Sequence, residues 1–271
     1  MPSSTAPPAF PVAWKDDLKV AALLGAASAA ATAALFPYLL QTMPERFAAL
    51  PVPLPLLVVA QAAQAFVLLG LLSLLGLRMG HRVGLGAPLL QRWMNRRSLP
   101  ALAHPPRPVQ ATALGAASAL LVLAMMRVVD PFLPPMRHPP AQADAGTSAL
   151  NGLLASFYGG IAEELLLRLF LMTLLVWIVT RLRKAAPGGA AYWTAIVLAA
   201  LLFGAGHLPA AQHIWGLDTA VVLRTVGLNA VVGVACGWLF WRRGLEMAVL
   251  AHFSADIVLH VLAPLAGTSP T

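Results

Sequence analysis

The chain has 271 residues, of which 59% are hydrophobic and only 10% charged, with a formal charge of +8. Soluble globular chains carry about 25% charged residues; this composition excludes an ordinary soluble domain and puts the long apolar runs in a bilayer. The basic excess lies mainly in arginines between those runs, which makes it a topology signal, and without a basic, aromatic-interleaved soluble face it excludes a nucleic-acid partner.

Residues 1–13 are Pro-, Ser- and Ala-rich with no basic start, so a disordered N-terminal tail is expected there and not a secretory signal. About seven apolar stretches then follow that are long enough to cross a membrane: 18–41, 54–77, 109–128, 149–180, 190–212, 217–241 and 245–265. The expected fold is all-α, a polytopic transmembrane helix bundle. The first and third stretches are rich in Ala, Gly and Ser, which favours close helix approach. The fourth is long for one span and is expected to tilt or to begin at the interface near Ser148. No internal repeat is visible.

The connections alternate in charge. The 78–108 connection holds Arg78, Arg82, Arg92, Arg96, Arg97 and Arg107; the next basic turns hold Arg181, Arg183 and Lys184, and then Arg242 and Arg243. The intervening connections hold Arg46, then Arg137, then no basic residue around 209–216. This places the N-terminus in the cytoplasm and, with seven spans, the C-terminus outside. Trp93, Met94 and the Leu89–Leu90 pair lie among the arginines of 78–108, so that segment reads either as an amphipathic helix on an anionic leaflet or as a solvated basic loop.

Three polar clusters interrupt the late spans. Glu164 and Arg168 are four apart and share a helix face, so they can neutralise each other in hydrocarbon. Glu163 points about 100° away and is left free to act as a base. His207 follows Phe203 at the same spacing, after a Gly-rich run and before Pro209. His252 and Asp256 repeat the spacing, and an aspartate beside an imidazole can set its tautomer. His260 continues that stripe and is expected at the interface; Met247 is expected in the core. Amide hydrolysis needs an activated water, an oxyanion donor and a proton for the leaving amine, and these residues can supply all three. Ser254 lacks a Gly-x-Ser-x-Gly frame, the HExxH zinc signature is absent, and the single cysteine, Cys236, has no histidine near it in sequence.

Glu163-Glu164-Leu165-Leu166-Leu167-Arg168 resembles the EExxxR motif of the type II CAAX prenyl endopeptidases and bacteriocin-processing proteins, the CPBP or Abi family. Phe203-Gly204-Ala205-Gly206-His207 resembles its FxxxH motif, and His252-Phe253-Ser254-Ala255-Asp256 its HxxxN/D motif. The likeness covers about 149–265, the expected catalytic helical region, preceded by N-terminal spans over 14–148. It implies a glutamate-dependent intramembrane endopeptidase. By position, Glu163 would be the base, His207 would hold its water, Glu164 and Arg168 would be the supporting pair, and His252 with residue 256 would form the oxyanion side. The family often has Asn at that last position. An ionised Asp cannot donate, so Asp256 either carries a proton or orients His252.

Phe203 is also expected to touch substrate. No cofactor is required; a zinc ion on Glu163, His207 and His252 is the minority alternative. The expected partners are the lipid bilayer and a membrane-tethered peptide or protein, and the expected location is a bacterial inner membrane. Two rival readings are a transporter or proton relay, to which Arg224 and Asn229 would contribute, and a non-catalytic membrane scaffold or immunity protein on the same fold. By the expected boundaries His207 lies near the outer end of its span and His252 near the inner end of its own, so convergence requires a tilted or shifted helix.

Overall fold

The computed structural model describes residues 13–48, 50–95 and 105–267. The expected tail therefore lies outside the described residues except for Ala13, as do Arg96 and Arg97 of the basic connection. Every regular element among the described residues is helical, and seven helices are long and apolar enough to cross a membrane. In chain order the helices are α1 (Trp14–Thr42), a short α2 (Pro44–Ala48), α3 (Leu54–Val83), a short α4 (Pro88–Asn95), α5 (Pro108–Val129), α6 (Ala145–Arg183), α7 (Gly189–Gly206), a short α8 (Leu208–Ile214), α9 (Thr219–Arg243) and α10 (Leu245–Leu265). The protein is an all-α polytopic bundle.

Local chemistry sets the ends. The Asp144 carboxylate accepts from the Thr147 N–H (3.0 Å) and O–H (2.6 Å) and so starts α6. Asp218 accepts from the Val221 N–H at 2.8 Å and starts α9. Both are N-caps that satisfy a helix's first free donors. At the far end of α3, Gly84 takes φ +70°, a left-handed turn that costs glycine nothing. The sequence ended that span at 77, before Arg78, yet α3 runs on to Val83. The reason is pairing: Arg78 lies 3.0 Å from the buried Asp17 of α1 and over the Trp14 ring at 4.2 Å. The same carboxylate meets His81 and Gln91, so one buried aspartate ties α1, α3 and α4 together.

Antiparallel succession gives the bundle two chemically different ends. At the basic end, the Tyr192 hydroxyl donates to Val83 O at 2.6 Å, Tyr192 stacks on Trp241, and the Leu89 and Leu90 N–H groups cap onto Glu246 at 2.8 Å each. Within this connection α4 is a short helix, with Leu89, Leu90 and Met94 packed against the core and Trp93 71% exposed. At the opposite end Gln41 bonds Ser148 and Asn151. Single cysteines replacing Asn95 and Ala185 in a Cys236→Ser background are expected to react with an impermeant maleimide only after cells are opened, because basic connections stay cytoplasmic. Labelling of intact cells at either position would invert the topology.

Lipid tails are as apolar as leucine, so helices associate in a bilayer through close packing and buried polar contacts. α6 is the centre of that packing, with Leu165, Leu169, Met172 and Val176 fully buried. A Cβ on Gly115 of α5 would collide with the Ala251 carbonyl of α10, so this glycine lets the helix bearing His252 lie against its neighbour. α6 spans 39 residues, roughly 58 Å as an α-helix against a hydrocarbon core of about 30 Å. It must tilt or protrude, and its last turn leaves Leu182 78% exposed. Its middle is not α-helical. Tyr158–Glu163 and Leu165–Met172 are π-helical, as is Ile257–Leu262 in α10.

Candidate active site

The wide turns of α6 carry the two carboxylates. Glu164 is fully buried and points into the bundle; the Glu163 side chain keeps 21% of its surface. Arg168, also fully buried, brings Nη1 to 3.0 Å from Glu164 Oε1. Its N–H is not aimed at that oxygen, so the pair attracts by charge without a hydrogen-bonded fork. Arg168 Nη2 instead donates to the Gly233 carbonyl of α9 at 3.0 Å.

The imidazoles arrive from either side. His207 is the residue at which α7 ends and α8 begins. Its Nδ1 lies 2.9 Å from Phe203 O; a carbonyl can only accept, so Nδ1 carries the proton and Nε2 is left with a lone pair in the neutral ring. That Nε2 lies 3.9 Å from Glu163 Oε1. His252, with a side chain only 3% exposed, brings Nδ1 to 2.8 Å from Glu164 Oε1 and Nε2 to 3.6 Å from Glu163 Oε2. The expected conflict in depth between the two histidines is absent. Both rings lie within 4 Å of Glu163, and α10 starts against the 84–95 segment, with the Leu245 N–H on Gly86 O and Glu246 capping α4.

The structure thus brings Glu163, Glu164, Arg168, His207, His252 and Asp256 into one cluster, with two changes of detail. The group hydrogen-bonded to His252 Nδ1 is Glu164 and not Asp256, whose Oδ1 lies 3.8 Å from Nε2. Glu164 therefore joins the arginine to the imidazole, a link that helical spacing cannot reveal across 88 residues. Phe203 is 4% exposed. Its ring packs edge-on to His207 (4.9 Å) and His252 (5.4 Å) and lies under the Arg168 guanidinium at 5.2 Å, which places it beneath the imidazoles and not on an open face.

Other polar residues are accounted for locally. Ser254 donates to Leu250 O at 2.6 Å. Arg224 pairs with Asp130 at 3.0 Å, and Asn229 donates to Thr225 O, so the groups offered for a transport path are tied into helix packing. His260 sits edge-on to Tyr38 of α1, between helices, while Met247 is in the core. Cys236 is fully buried, and its sulfur falls within 4.8 Å of donor atoms of Glu164 and His252. The chain folding back, and not local sequence, supplies those neighbours. Among the described residues, the trios whose donor atoms all lie within 4.8 Å of one another are Glu164–Cys236–His252 and, at the far end of the bundle, Glu45–His138–His213; the set Glu163, His207 and His252 does not meet that spacing. An apolar hollow of about 460 Å³ between Gln110, Trp193 and Trp238 does not include the carboxylates.

Gly159 is the residue that motif reading missed. A Cβ there would collide with Asp256 Oδ2 and stand 3.1 Å from His252 Nε2. Gly159→Ala is expected to lower kcat/KM by about 10²-fold, the cost of misplacing reacting groups by about 1 Å. Gly160→Ala, whose Cβ would meet only Phe253 and Val249 at 3.2–3.5 Å, should cost far less. Equal losses in the two variants would remove Gly159 from the site.

Residues 145–258 match the family described as type II CAAX prenyl endopeptidase Rce1-like. The matched stretch begins at the first residue of α6, ends in α10 and contains every residue of the cluster. No curated protein and no solved structure matches the chain.

Proposed function

We propose, from the match of residues 145–258 to the type II CAAX prenyl endopeptidase Rce1-like family and the geometry of the cluster, that this multi-pass membrane protein hydrolyses a peptide bond of a membrane-tethered peptide or protein near its terminus, using water activated by Glu163. The observation that carries the reading is a partly open carboxylate set between two imidazoles whose other nitrogens are already committed. Glu163 lies 3.9 Å from one ring and 3.6 Å from the other. A water beside it can reach both the carboxylate and His207 Nε2 at hydrogen-bond distance.

In this mechanism Glu163 removes a proton from that water while His207 Nε2 accepts its second hydrogen and aims the oxygen. The water oxygen bonds to the scissile carbonyl carbon, and the carbonyl π electrons move onto oxygen. His252 faces that charge. With Nδ1–H given to Glu164, its Nε2 can donate only as an imidazolium, the form this scheme requires. Glu163 then passes its proton to the leaving nitrogen as the C–N bond breaks. Arg168 balances Glu164 and holds it against His252. The basic end of the bundle would face the cytoplasm of a bacterial inner membrane.

No step of this scheme uses a metal. The test is chelation, carried out in a His138→Ala/His213→Ala background so that an ion at the outer trio cannot contribute. Cleavage of a lipid-anchored peptide by purified protein is expected to persist at its starting rate. Loss of activity that zinc restores would replace the glutamic mechanism with a metal-dependent one.

A further inference from the structure

At the end of the bundle opposite the basic one, three connections meet. Glu45 comes from α2, His138 from the segment between α5 and α6, and His213 from the last turn of α8. His138 Nδ1 lies 2.5 Å from Glu45 Oε2. The rings of His138 and His213 face each other with centroids 4.6 Å apart and planes 5° from parallel. One donor atom from each of the three residues lies within 4.8 Å of the other two. His213 Nε2 is buried and makes no hydrogen bond.

The backbone enforces this meeting. The Arg137 and His138 N–H groups both donate to Ile214 O, at 2.7 and 3.3 Å, and the Ala141 N–H donates to Gln41 O at 2.8 Å. Beneath them Ala211, Trp215 and Val221 form a small apolar cluster with Leu133, Met136 and Ile214. The imidazoles therefore stand together on anchored chain, and a single cation could satisfy the carboxylate and both rings at once.

We propose that Glu45, His138 and His213 form a zinc site that clasps these three connections. Two imidazoles and one carboxylate are a known zinc donor set, with water in the fourth position. Zinc bonds of about 2.0–2.2 Å require the donors to close in from their present spacing, and one parallel ring must turn so that both in-plane lone pairs converge. Arg46 and Arg137, neighbours of the ligands in sequence, repel a cation, so the ion is held reversibly and a chelator removes it. The ion also fixes α8, the helix that begins at His207, and so connects an outer site to the position of an imidazole of the catalytic cluster.

The experiment uses the full-length protein purified in detergent, stripped with chelator and titrated with Zn²⁺ alone, with bound zinc per chain and Tm as readouts. One equivalent is expected, with a rise in Tm of a few degrees as the folded state is selectively bound. His138→Ala/His213→Ala should abolish it. Glu45→Gln, on a side chain that is 63% exposed, should weaken it by at least about 10-fold. His207→Ala/His252→Ala should leave it intact, which separates this site from the catalytic cluster whatever the reaction proves to be. Absence of saturable zinc in the unaltered chain, or zinc that survives the outer double variant, overturns the proposal.

Discussion

Glu163→Gln is expected to end peptide cleavage while leaving the protein folded and inserted. The substitution keeps the shape of the side chain and removes its ability to take a proton. Positioned general bases are worth about 10²–10⁴-fold, and this group would also return the proton to the leaving amine, so the loss should lie at the upper end of that range. The protein's stability should barely change. Glu163 is partly open, and its contacts with His207 and His252, at 3.9 and 3.6 Å, are longer than hydrogen bonds, so no strong interaction is broken. Single-turnover cleavage by purified protein, with Tm measured on the same sample, checks both halves. Turnover within about fivefold of the unaltered protein would take Glu163 out of the chemistry.

Glu164→Gln should give the opposite signature, in which stability falls together with activity. Arg168 would be left as a buried charge without its partner, and breaking a buried pair from one side costs on the order of 3–5 kcal/mol. That corresponds to a fall in Tm of roughly 10 °C for a protein of this size. Removing both charges should be milder. Glu164→Leu with Arg168→Met replaces the pair by apolar groups of similar bulk, which is often neutral for stability, so much of the lost Tm should return. Activity should not return, because His252 Nδ1 would have lost its acceptor at 2.8 Å. A double variant that recovers both fold and cleavage would reduce Glu164 to a counter-ion for Arg168.

Much of this arrangement was legible in the sequence, for physical reasons. Water-free hydrocarbon forces helices of a minimum length, so seven spans could be read from apolar run length alone. The cost of ionisable groups at that depth marked out Glu163, Glu164, Arg168, His207, His252 and Asp256. What stayed hidden depended on contacts between distant segments. The expected first span began at 18 and so left out Asp17, which meets Arg78 and His81 of α3. The bond from Glu164 to His252, the room that Gly159 leaves for Asp256, and the sulfur of Cys236 beside the imidazole all require the fold.

The π-helical stretch of α6 has an evolutionary corollary. Each wide turn closes on the fifth residue instead of the fourth, so it accommodates a residue that a regular helix would omit. Losing one of the leucines between Glu164 and Arg168 would let the segment relax toward ordinary α geometry with its hydrophobicity almost unharmed. Glu164 and Arg168 would then be three residues apart instead of four, which turns them by up to about 100° and moves them by about 1.5 Å relative to each other. The hydropathy profile would be almost unchanged, yet the buried pair of Glu164 and Arg168 would have to re-form across a different spacing. Lineages that lose this residue should therefore drift into membrane proteins of the same outline without the reaction, and a gap at this point in a related chain is a better marker of lost activity than any single substitution on the helix surface.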